Sequence, residues 1–92
     1  MLESSTPIPF EHVISTAFDQ GEGVLVDLNS KQYYQLNETA MLVWSCLEKQ
    51  EPLPEIINKM TETYEVSSDH AAASVEKILK DFAAQSLVHS KA

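Results

Sequence analysis

Between Gly23 and Asn37 the chain reads as two short strands joined by a turn and run straight into a helix cap, which constrains the fold more than any other stretch. Val24 to Leu28 alternates, with Val24, Val26 and Leu28 on one face and Leu25 and Asp27 on the other. Asn29-Ser30-Lys31 supplies the turn, because asparagine reaches the left-handed backbone of a tight hairpin at low cost. Gln32 to Leu36 follows as the next strand, with Gln32, Tyr34 and Leu36 on one face and Tyr33 and Gln35 on the other. Each face therefore carries a tyrosine, one expected in the core and one partly exposed. The strand is short and aromatic, and one of its edges is expected to be open. An open edge carries unpaired backbone N–H and C=O groups that invite another strand.

The segments around this hairpin complete the pattern. His12 to Phe18 is rich in β-branched and aromatic residues and reads as a first strand, closed by the turn residues Asp19 to Gly23. Asn37 is a good N-cap, and Ala40, Val43, Trp44 and Leu47 mark the buried face of a helix that ends near Glu48 to Gln50. Pro52 and Pro54 suit the first turn of a second helix reaching about Thr63, with Leu53, Ile56, Ile57, Met60 and Tyr64 as its apolar stripe. Ser67-Ser68-Asp69 offers caps for a third helix running to Gln85, whose stripe is Ala71, Val75, Ile78, Leu79 and Phe82. Leu87-Val88 forms an apolar pair that can pack back on the core. Three strands followed by three helices predict an α+β domain, a small winged helix-turn-helix-like unit with a three-stranded antiparallel sheet. Residues 10–89 form that domain, residues 1–9 a loose arm and residues 90–92 a frayed tail.

Composition narrows the function. The chain has 92 residues, with 14 acidic against 6 basic side chains and a net charge of -8, which repels a phosphate backbone. A winged-helix nucleic-acid binder needs a basic face, and the third helix offers only Lys77 and Lys80, offset by Asp69, Glu76 and Asp81. Cys46 is the single cysteine, so no intramolecular disulfide or cysteine cluster for zinc can form, and its apolar neighbours suggest a buried thiol. His12, His70 and His89 fall in different elements without ligand spacing and read as surface histidines, leaving no metal site. No phosphate loop or serine elbow is present, and neither an enzyme nor a cofactor is expected. The N-terminus lacks a secretory signal and no apolar run would span a bilayer, as expected of a cytoplasmic protein without membrane contacts.

The residues resemble a known family. Val24-Leu25-Val26-Asp27, then Tyr33 to Ala40, Val43-Trp44, Glu55-Ile56-Ile57, Tyr64, Val75, Ile78-Leu79, Phe82 and Leu87-Val88 occur in the order seen in the PqqD family. That family is named for protein D of pyrroloquinoline quinone (PQQ) biosynthesis. The resemblance implies a recognition element for ribosomally made, post-translationally modified peptides (RiPPs). Such a protein is a non-catalytic chaperone that holds a precursor peptide's leader and presents it to a modifying enzyme, such as a radical S-adenosylmethionine enzyme or a leader peptidase. It further implies that the leader adds as a strand to Gln32–Leu36, beside the helix from Ala71 to Gln85.

The chain departs from the family's habit at a few places. Ser74 stands where an acidic residue often precedes the valine of the third helix. Ser86 and Lys49-Gln50 stand where glycines are common, and the hairpin reads Asp27-Leu28-Asn29-Ser30 instead of carrying a proline-glutamate pair. A lasso-peptide or radical-enzyme cluster fits this hairpin at least as well as PQQ biosynthesis.

With strand addition, the backbone of Gln32, Tyr34 or Leu36 is expected to set the leader's register, with Tyr33 and Gln35 on the same strand. Groove side chains are expected from Tyr33, Ser74, Ile78 and Asp81, although Ile78 also suits the core and Asp81 a solvated helix face. The alternatives are the winged-helix nucleic-acid binder and a structural subunit of a partner enzyme. An open edge can also pair with itself, so monomer and homodimer are both compatible with the sequence.

Overall fold

The structure, a computed structural model, describes residues Thr6 to His89; residues 1–5 of the expected arm and the expected tail 90–92 lie outside them. Eight elements follow in order: β1 (Ile8–Pro9), β2 (Val13–Ala17), β3 (Gly23–Asp27), β4 (Gln32–Leu36), α1 (Glu38–Glu48), α2 (Leu53–Tyr64), α3 (Ser68–Ala84) and β5 (Val88–His89). The domain is α+β, with the antiparallel sheet β2-β3-β4 ahead of three helices.

Each turn of the sheet has a local cause. At the β2–β3 turn, Gly21 N–H donates to the Phe18 carbonyl at 3.2 Å and Phe18 N–H to the Glu22 carbonyl at 2.7 Å. Gly21 holds φ +88, the left-handed residue that a three-residue hairpin loop requires. At the β3–β4 turn, Asp27 Oδ1 accepts from the N–H groups of Asn29 at 2.9 Å and Ser30 at 3.1 Å. Asp27 is thereby buried on the core face beside Leu25 without being left unpaired. The Ser30 N–H in particular, with Asn29 and nearby His12, holds the Asp27 carboxyl below its usual range against the opposing effect of burial.

Helix α1 runs through the middle of the molecule. Met41, Val43, Trp44, Cys46 and Leu47 are all buried, more of the circumference than one amphipathic stripe accounts for. Trp44 is fully buried, stands edge-on to Phe82 with ring centroids 5.2 Å apart, and donates its indole N–H to Glu48 at 3.0 Å. Burial pushes the Cys46 thiol up to about 11, with the Glu51 carboxylate beside it adding to the shift. The caps fall where expected: Asn37 accepts from Ala40 N–H and Ser67 from His70 N–H. Pro52 is the N-cap of α2, while Pro54 lies within its first turn.

Two differences from the sequence reading stand out. Thr6 to Pro9 belong to the domain and not to a loose arm. Ile8 and Pro9 pair with His89 and Val88, Phe10 N–H donates to the Leu87 carbonyl at 3.1 Å, and the Thr6 hydroxyl reaches the Glu51 carbonyl at 3.2 Å. The apolar pair Leu87-Val88 is buried and supplies the partner that holds this segment. His12 and His89 are also more engaged than solvated surface histidines. Phe10 stacks on His12 at 5.1 Å and lies 4.7 Å from His89, and His12 Nε2 is 3.6 Å from Asp27.

Candidate functional site

The sheet order β2-β3-β4 places β4 at an edge. Backbone groups alternate sides along an antiparallel strand, so a bond at one position fixes the parity of the whole ladder. Leu28 N–H donates to the His12 carbonyl at 2.9 Å and Phe18 N–H to the Glu22 carbonyl at 2.7 Å, so the even-numbered residues of β3 face β2. Gly23, Leu25 and Asp27 therefore face β4, opposite Leu36, Tyr34 and Gln32. The expectation that Gln32, Tyr34 and Leu36 offer their backbone to an added strand is reversed, because these residues are already paired. Tyr33 and Gln35 present their N–H and C=O groups outward.

Beside this edge lies a groove of about 440 Å³ formed by the end of β4, the first turn of α1 and one side of α3. Leu36, Ala40, Ile78 and Phe82 give it an apolar floor. Gln35, Ser74, Lys77 and Asp81 are among its polar lining. One cation and one anion leave it without strong charge preference, so shape and apolar fit dominate what it can select.

Of the residues singled out in the sequence, Gln35, Leu36, Ser74, Ile78 and Asp81 come together here. Ile78 is half-buried and serves both readings, packing on the core while lining the groove. Tyr34 is half-buried against the core with its hydroxyl on the Gln32 side chain at 3.0 Å. Tyr33 is 73% exposed on the outer face of the sheet and is not among the groove's lining residues. Lys77 and Gln85 also line the groove but are not among the groove residues expected from the sequence. The spacing Ser74, Lys77, Ile78, Asp81, Gln85 is one helical stripe, a signal that would have included both.

The family model for coenzyme PQQ synthesis protein D (PqqD) matches residues 22–88. The chain belongs to the PqqD family. Its fold is shared with TbiB1, solved in complex with the TbiA(beta) leader peptide: the TM-score is 0.84 at 25% identity, covering 92% of this chain and 98% of that one. It is shared too with lasso peptide synthetase B1, solved with the leader peptide, at TM-score 0.77 and 21% identity over 91% of this chain and 96% of that one. No curated protein matches the sequence significantly. In this PqqD-family chain, Gln50 and Ser86 both hold left-handed backbone, at φ 58.

Proposed function

We propose that this protein is a non-catalytic peptide chaperone. It binds the leader of a ribosomally synthesised precursor by strand addition to β4 and presents it to a modifying enzyme, such as a radical S-adenosylmethionine enzyme or a leader peptidase. The observation that carries this reading is an edge strand whose outward backbone groups, at Tyr33 and Gln35, border a groove with an apolar floor. Two structures of the same fold hold leader peptides, which supports the same class of ligand here.

Backbone pairing with Tyr33 and Gln35 supplies affinity that is indifferent to leader sequence. Selectivity comes from alternate leader side chains that enter the groove over Leu36, Ile78 and Phe82 and meet Ser74 or Asp81 at its rim. No residue of the groove needs to move a proton or attack a bond for this role. The chaperone works beside its enzyme in the cytoplasm; among the described residues no helix is long and apolar enough to cross a membrane.

The test is a titration of the labelled protein with the leader of a short precursor encoded beside it, followed by amide shifts. Leader binding moves β4 and the Ser74–Ile78–Asp81 side of α3. A response to the enzyme alone would make the protein a structural subunit, and tight salt-dependent DNA binding would make it a nucleic-acid binder.

A further inference from the structure

The sheet has a second edge. By the same parity, Ile14 and Thr16 of β2 face β3, so Ser15 and Ala17 turn their N–H and C=O groups away from the sheet. A second groove, of about 410 Å³, opens beside them between β2, α1 and the end of α2. Its apolar wall is formed by Met41, Leu42 and Tyr64. Glu38 and Glu48 also line it, and among the described residues no lysine or arginine does. The groove on the β4 side, with Lys77 and Asp81 both present, has no such bias.

The two acids mark the ends of this groove. Glu48 accepts from the Ser15 hydroxyl at 3.2 Å, whereas a Cβ on Gly21, past the end of β2, would lie 2.8 Å from Glu38 Cγ. Helix α1 therefore runs alongside β2, with Glu48 toward Ser15 and Glu38 toward the β2–β3 turn. Ten residues of helix separate them, about 15 Å at 1.5 Å per residue. An extended strand rising about 3.3 Å per residue covers that span in four to five residues, and positions i, i+2 and i+4 share one face.

We propose that β2 is a second docking edge, which takes an extended basic segment of the pattern Lys-x-Leu-x-Lys from a partner protein. Its backbone pairs with Ser15 and Ala17, its central apolar side chain lies on Met41 and Leu42, and its two basic residues meet Glu38 and Glu48. Charge complementarity chooses this occupant: among the described residues the groove carries two carboxylates and no lysine or arginine, on a chain of net charge -8. The site stands independently of leader binding, since it uses the opposite edge of the sheet, and it leaves β4 free for the leader.

The probe is the synthetic peptide Lys-Thr-Leu-Thr-Lys with both ends blocked, titrated to millimolar concentration into the labelled full chain at physiological salt. Shifts are expected at Ser15, Ala17, Met41 and Ser45, with slowed hydrogen exchange at the Ser15 and Ala17 amides. Glu-Thr-Leu-Thr-Glu should leave these signals unmoved. Glu38→Lys should weaken the lysine peptide about fivefold, in line with an ion pair at a solvated rim. Ala17→Pro removes an outward N–H without touching the β3 ladder, and should abolish exchange protection while unfolding stays cooperative. The proposal is overturned by shifts at Tyr33, Gln35 and Ile78 instead, by shifts spread over the acidic surface with unchanged exchange at Ser15 and Ala17, by equal binding of the glutamate peptide, or by no shifts at all.

Discussion

The N–H of Leu28 donates to the carbonyl of His12 at 2.9 Å, and this one bond decides which backbone groups the far edge of the sheet offers. Parity carries it across β3, so Tyr33 and Gln35 are the residues with free outward groups on β4. A proline at Gln35 should therefore remove a docking donor while sparing every ladder bond. Leader affinity is expected to fall about tenfold or more, the worth of roughly 1.4 kcal/mol, with little change in urea unfolding. Tyr34→Pro, by contrast, strips the pairing with Leu25 and should destabilise the fold by about 1–3 kcal/mol. Calorimetric titration beside denaturant unfolding separates the two.

Ile78 divides its surface between core and groove. Ile78→Ala should cost about 1 kcal/mol of stability, less than a fully buried isoleucine would, because the side chain is only half-buried. Leader affinity should drop by about tenfold, through lost apolar contact with the bound strand. Unchanged affinity in a folded variant would take Ile78 out of the binding surface.

Gln50 and Ser86 are held in left-handed backbone that costs a residue with a Cβ about 1–2 kcal/mol. Gln50→Gly and Ser86→Gly should each stabilise the protein by about 0.5–1 kcal/mol, the relief being partly offset by the freer unfolded chain. Urea midpoints read this directly. A destabilised variant would mean that the side chain contributes more than its backbone strain costs.

The Asp27 carboxyl is held below its ordinary value of 3.8, chiefly by the Ser30 N–H. A depressed native pKa means that the unfolded chain binds the proton first as pH drops, so stability decreases as pH decreases. The contribution is fully present above the ordinary value, fades as pH drops below it, and is gone once native Asp27 is itself protonated. Asp27→Asn keeps an acceptor for the turn but loses the charge. Its thermal midpoint should lie below that of the parent at pH 7, with the gap closing toward acid; a gap constant with pH would contradict this.

Much of the fold was legible because local signals agreed with tertiary ones. Asn37 and Ser67 are caps both in pattern and in structure, and β4 could be bounded because its alternation ran straight into a cap. The β1–β5 pair was hidden, since two residues of strand carry no alternation and Ile8 gives no local sign of its partner Val88–His89. The groove was legible where side chains follow helical spacing, at Ser74, Ile78 and Asp81. The backbone side of the site was not, because alternation of side chains shows which residues share a face but not which strand edge their N–H groups serve. The bond from Leu28 to His12 fixes that, and the bond from Phe18 to Glu22 agrees with it.

The most direct measurement is amide hydrogen exchange along β4, in the free protein and with saturating leader peptide. Gln32, Tyr34 and Leu36 should exchange slowly in both states, since their N–H groups already bond β3. Tyr33 and Gln35 should exchange quickly in the free protein and become protected on binding. Rapid exchange at Tyr33 and Gln35 in the saturated complex would contradict strand addition at this edge.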